Sequence, residues 1–113
     1  MAGIQAPQRA GLRRADFKRI TRRGRRIVTP LFLVFILARP DAQGARLGIT
    51  VTRKVGNAVR RNRIKRLVRE WFRYCRAELG ARDVVVVAKR DLPQVLQLSE
   101  VGPDLDGAFE ARR

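Results

Sequence analysis

No histidine occurs anywhere in this chain of 113 residues. That absence removes the usual general base near neutral pH, the commonest zinc ligand and every Ser-His or Cys-His arrangement. A single cysteine, Cys75, excludes an intrachain disulfide and any multi-cysteine metal site. Acids are scarce and gather late, at Asp91, Glu100, Asp104, Asp106 and Glu110, so no clustered carboxylates offer a two-metal site. Long apolar runs are missing too. The longest, Leu31 to Ala38, has eight residues, against the roughly 20 that a membrane-spanning helix needs. The first residues, MAGIQAPQRAGLRR, lack the apolar centre of a signal peptide, so a cytoplasmic protein with no membrane partner is expected.

What is present is positive charge. Twenty-six Lys and Arg against ten Asp and Glu give +16 and a pI near 11.8. Such an excess disfavours the compact state by self-repulsion and favours an anionic partner. Only Lys18, Lys54, Lys65 and Lys89 are lysines; the other 22 cations are arginines. A GC-rich genome accounts for such a ratio as well as function does, but guanidinium also offers a planar fork for phosphate and a flat face for bases. Apolar content of 45% is that of a globular protein. No internal repeat or domain boundary is visible, so one domain spanning 1–113 is expected, with 1–10 and the last few residues flexible.

A short helix is expected from Arg13 to Arg23, with Phe17 and Ile20 on one face and Gly24 as its cap. Arg25 to Thr29 fits a loop or a short edge strand. Leu31 to Ala38 reads as a strand, and Asp41 to Ala45 as a turn. Arg46 to Thr52 alternates, with Leu47, Ile49 and Val51 on one side and Arg46, Gly48, Thr50 and Thr52 on the other. These two strands suggest an antiparallel hairpin with one polar, open face. Asp83 to Ala88 reads as a buried strand ahead of an acidic tail. There Val101, Leu105, Ala108 and Phe109 fall at helical spacing, with Pro103 suited to a first turn.

The stretch from Arg53 to Phe72 is the most informative. At 100° per residue, with Ile64 at zero, Leu67, Val68, Trp71, Phe72, Cys75 and Leu79 fall between about −60° and +80°, one core-facing stripe. Asn62, Lys65, Arg66, Arg69, Arg73 and Arg76 fall between roughly 100° and 200°, a continuous ridge suited to a phosphate backbone. Glu70, the only acid in the stretch, lies near Arg63 and could tether it. Asn57 is a good N-cap after Gly56. Arg60, Arg61 and Arg63 then crowd the end where the helix dipole is already positive, an arrangement that makes sense if an anion docks there. A merely solvated basic face is the ordinary alternative, and the density of cations argues against it.

Lys54-Val-Gly-Asn-Ala-Val-Arg-Arg-Asn-Arg-Ile-Lys-Arg-Leu-Val-Arg69 closely resembles the Arg-Asn-Arg signature helix of the bacterial ribonuclease P protein subunit. Asp16-Phe17 in a basic first helix, the strand around Phe32 to Phe35, Arg46-Leu-Gly-Ile-Thr-Val-Thr-Arg-Lys54 and Asp83 to Arg90 agree in order. The resemblance runs from about Leu12 to Arg90 and leaves the acidic tail outside it. It implies an α+β fold: a two-layer α/β sandwich, ribosomal protein S5 domain 2-like, with a left-handed β-α-β crossover. It also implies a ribonucleoprotein endonuclease that removes the 5′ leader of precursor tRNA, with chemistry performed by a catalytic RNA and its Mg²⁺ ions. No metal would be bound by the protein alone, and the free protein would be monomeric.

Under that resemblance the RNA-binding residues are Arg53, Lys54, Asn57, Arg60, Arg61, Asn62, Arg63, Lys65, Arg66, Arg69 and Arg73. The substrate leader would lie in a cleft with Phe17 and Phe35, for which plain core packing is the alternative, and with Arg46, Thr50 and Thr52. Thr21 stands where a further aromatic is common, so stacking there should be weaker, with Arg19 or Arg22 as substitutes. A non-catalytic RNA-binding protein, such as a ribosomal or assembly component, is the alternative function. A protein nuclease acting alone is disfavoured by the missing acid-base groups.

Overall fold

The computed structural model describes residues 12–40 and 44–110, so the expected loose ends and most of the expected turn at 41–45 lie outside the described residues. The elements are α1 (Arg14–Arg23), β1 (Arg25–Val28), β2 (Phe32–Ala38), β3 (Arg46–Thr50), α2 (Ala58–Leu79), β4 (Arg82–Ala88) and α3 (Leu98–Glu110). The four strands form one sheet in the order β1-β2-β4-β3. Pairing is antiparallel except between β3 and β4, which run parallel and are joined by the crossover helix α2.

The expected hairpin between β2 and β3 does not form, because β4 lies between them. Burial gives the reason. Val84, Val85 and Val86 are completely buried, so β4 must be covered on both faces and takes the centre. The alternating β3 tolerates an edge. Arg25 to Val28, ambiguous in sequence, is the opposite edge strand.

Alternate residues of the sheet feed two separate apolar clusters. Phe32, Val34, Ile36, Leu47, Val84 and Val86 face α2 and α3, whose Ile64, Val68, Trp71, Phe72, Val101 and Leu105 complete the main core. Leu67 and Cys75 pack partly buried against it. On the other face, Phe35 and Val85 meet Ile20 of α1 in a smaller cluster. Asn57 caps α2 as expected, its side-chain oxygen accepting the Arg60 backbone N–H at 2.9 Å. The helix ends at Gly80, whose φ of 69° is the left-handed conformation that glycine adopts freely.

The acidic tail forms α3, but Pro103 is its sixth residue rather than part of the first turn. At the helix start, the Glu100 carboxylate accepts the Gln97 N–H at 3.0 Å. The tail acids are also internal fasteners. Thr29 Oγ1 donates to Asp104 at 2.5 Å and Trp71 Nε1 to Asp106 at 2.8 Å, tying α3 to the sheet entry and to α2.

Candidate nucleic-acid interface

Helix α2 turns its ridge away from the core. Asn62, Arg66 and Arg69 are exposed, and Arg61 and Lys65 partly so. Among the described residues, none of the cations Arg61, Lys65, Arg66 and Arg69 has an ion pair or a side-chain hydrogen bond. Arg53 and Lys54 stand exposed in the turn that leads into the helix, where Thr52 and Arg53 carbonyls accept the Val55 and Gly56 N–H groups. Further along, the ridge becomes internally engaged. Arg73 pairs with Glu70 and lies over the Tyr74 ring at 5.4 Å, while Arg76 Nε donates to the Ala45 carbonyl at 2.9 Å. Glu70 therefore tethers Arg73, not Arg63.

The first turn of α2 is organised differently. The Arg60 side chain folds back, with Nε donating to the Val55 carbonyl at 3.1 Å. Its terminal nitrogens donate to the carbonyls of Leu92, Pro93 and Gln94 at 2.8–3.0 Å. Arg63 adds a bond to the Leu96 carbonyl at 3.0 Å. Gly56 makes room for this return path: a Cβ there would sit 2.5 Å from Arg60 Cδ. Two cations at the positive end of the helix are thus answered by five carbonyl dipoles of neighbouring loops. Arg60 falls at about −40° on the wheel and Arg61 at about 60°, both within the apolar stripe, so periodicity does not separate the fastened arginine from the free one.

Across the sheet, α1 covers part of the opposite face. Phe17 seats its half-buried ring on Gly48, where a Cβ would lie 2.5 Å from Phe17 Cζ. Glycine inside an alternating strand marks such an approach. Phe35 is buried beneath α1 with Ile20 and Val85 and has the core-packing role. Beside α1 a strip stays open, formed by the register neighbours Thr50, Val87, Leu33 and Val28, the last 56% exposed. Thr52 lies beyond the end of β3, exposed. Thr21 is also exposed, its hydroxyl donating to the Phe17 and Lys18 carbonyls.

Arg46 does not point into that strip. Its Nε and a terminal nitrogen grip Asp83 at 2.7 and 2.9 Å, and Arg19 reaches the same carboxylate at 2.8 Å. Arg19 also pairs with Asp16 at 3.2 Å, so of the two substitutes considered for stacking only Arg22 stands free. Burial pushes the Asp16 carboxyl up. The Arg13 backbone N–H and the guanidinium groups of Arg46, Arg19 and Arg13 outweigh it and hold the group below its usual value. Asp83 was missed as a structural centre in the sequence, although a lone acid ahead of four valines is a signal for a buried ion pair.

Both of these buried acids are held by arginines, and among the described residues no three potential metal ligands come together. The Cys75 thiol is pushed up to about 12, first by burial and then by Asp106 and Glu78, so it remains protonated at neutral pH. No helix among the described residues is long and apolar enough to cross a membrane.

An amphipathic helix entered through Gly-Asn, carrying free cations on one side and a core stripe on the other, is thus combined with a four-stranded mixed sheet. The family described as Ribonuclease P matches residues 7–109. The chain belongs to that family. A relative from Desulforapulum autotrophicum, the ribonuclease P protein component, is 45% identical over 88% of this chain and 84% of its own length. The RNase P protein of Staphylococcus aureus has a similar solved structure, with a TM-score of 0.80 at 30% identity over 92% of this chain and 95% of that one. That of Thermotoga maritima gives 0.77 at 31% identity over 88% and 94%. The ribonuclease P match includes most of the acidic tail that the signature resemblance had left outside.

Proposed function

We propose that this chain is the protein subunit of a ribonucleoprotein that removes the 5′ leader from precursor tRNA. Membership of the ribonuclease P family carries the proposal, and the geometry of α2 supports it. Six cations, Arg53, Lys54, Arg61, Lys65, Arg66 and Arg69, lie on or before the helix with no internal partner among the described residues. They form the assembly surface for the catalytic RNA, with Asn62 between them. Asn57, Arg60 and Arg63 shape that surface from within, and Arg73 lies at its far end.

Phosphodiester hydrolysis belongs to the RNA subunit, with Mg²⁺ held mainly there. The protein supplies positive charge between two RNAs and a groove for the leader, and it acts in the cytoplasm as a monomer before assembly. In that groove the exposed edge of Phe17 and the strip of Thr50, Val87 and Leu33 accept unpaired bases by stacking and apolar contact. Arg46 serves it from below by fixing Asp83, and Phe35 by supporting α1.

Cleavage of precursor tRNA tests the proposal in three mixtures at low Mg²⁺: protein alone, a ribonuclease P RNA alone, and both. Cleavage confined to the combined mixture is expected. Cleavage by the protein alone, or no gain on mixing, would reject it.

A further inference from the structure

Asp83 stands at the second position of β4 and is only 1% exposed. A carboxylate buried so completely needs partners to hold its charge, and Asp83 draws them from three parts of the chain. Arg46, its register neighbour on β3, forks across both oxygens at 2.7 and 2.9 Å. Arg39, just past the end of β2, brings its Nε to 3.8 Å. Arg19 reaches in from α1 at 2.8 Å. The same guanidinium holds Asp16 at 3.2 Å, and Asp16 accepts the Arg13 backbone N–H at 3.1 Å. A line of charge-assisted bonds thus runs from an inner strand to the start of α1.

Ile20 and Phe17 meet the sheet through apolar contact, which is non-directional and does not by itself fix how the helix is rolled. The ion cluster and the aromatic ring occupy opposite flanks of that helix. With Ile20 at zero, Phe17 falls at about 60° and Arg19 at about −100°. The structure agrees with the wheel: Phe17 rests on Gly48, while Arg19 and Asp83 line a separate hollow with Arg39, Arg46, Leu37 and Ala38.

We infer that Asp83 is a positioning residue for the leader groove. By pinning one flank of α1 through Arg19, it fixes the roll at which Phe17, on the other flank, presents its open edge over Gly48. Asp83 itself touches no substrate. Arg19 lies two residues from Phe17 on α1, and Arg46 two residues from Gly48 on β3, so the clamp and the seat of the ring share the same two elements. A roll of the helix would carry the ring off its seat or across the strip of Thr50 and Val87. A buried ion cluster adds little net stability over well-packed apolar side chains. What a planar guanidinium fork adds is a fixed direction.

The inference rests on the proposed function, which cleavage by the unaltered protein with its RNA tests separately. Asp83→Asn keeps the shape and removes the charge. Affinities of the assembled holoenzyme are measured for leader-bearing precursor and for mature tRNA, beside the affinity of the protein for catalytic RNA. The preference for precursor should fall roughly tenfold, the size of one lost base–aromatic stack, while binding of catalytic RNA through α2 stays unaltered. In a Phe17→Ala background the same change should have almost no further effect on the preference, because Asp83 acts through the ring. Arg19→Ala is a milder change at a side chain 38% exposed, leaves Arg46 on Asp83, and keeps the test open if Asp83→Asn does not fold. It should lower the preference in the same direction, and Arg19→Lys should restore part of it. The salt slope of precursor binding should be the same for Arg19→Ala as for the unaltered protein. A slope shallower by about one would make Arg19 a phosphate ligand and overturn the inference. A preference left intact in folded Arg19→Ala, with only the melting temperature lowered, would overturn it too, as would losses that simply add to those of Phe17→Ala. Failure of the unaltered protein to support cleavage would instead overturn the proposed function.

Discussion

Arg60 and Arg61 are neighbours on one helix and carry the same group, yet they belong to different regions of the molecule. The first turn of α2 directs Arg60 and Arg63 at five loop carbonyls and holds the segment from Leu92 to Leu96 against the helix. The open ridge leaves Arg61, Lys65, Arg66 and Arg69 with no partner among the described residues. The difference teaches that charge density alone does not tell a fastening arginine from a free one; what separates them is whether the protein itself supplies acceptors.

The sharpest way to break this comparison is Arg60→Ala. It removes charge-assisted bonds to four carbonyls, so a loss of about 3 kcal/mol is expected in urea unfolding. The salt slope of RNA binding by the folded fraction should be nearly unchanged. A second substitution concerns the opposite face. Gly48→Val drives a side chain into Phe17, and displacement of that ring should cost about 1–3 kcal/mol and weaken binding of leader-bearing substrate more than of mature tRNA.

Asp16→Asn probes the paired arginines of α1. Its folded value is lowered, so its stabilising contribution is fully present above the unfolded value of about 3.9 and is lost as pH falls through the folded one. The stability gap between unaltered and variant protein should therefore be constant near neutrality and narrow only in that acidic window. A gap that widens on acidification would contradict the assigned ion pairs. The smallest effect on stability is expected for Arg66→Ala, within about 0.5 kcal/mol of the unaltered chain, with the salt slope reduced by about one.

Much of this was legible in the sequence, for identifiable reasons. The α2 stripe and ridge followed from periodicity, since one helical face decides burial. Asn57 announced its cap. Strand order was not legible: local alternation specifies which face of β3 is buried, not which strand lies beside it, and only the two-sided burial of β4 explains its central place. The internal role of Arg60 was hidden because three of its four acceptors lie over 30 residues away in the loop from Leu92 to Gln94. Asp83 and Gly48 were likewise obscured by partners that only the folded chain brings near, Arg19 and Phe17.

Salt dependence of catalytic-RNA binding tests the central claim most directly. With six free cations on and before α2, log affinity should fall against log salt with a slope of roughly −4 to −5. Arg66→Ala with Arg69→Ala should make that slope about two units shallower while the protein stays folded. An unchanged slope in the double variant would contradict the assignment of this ridge as the assembly surface.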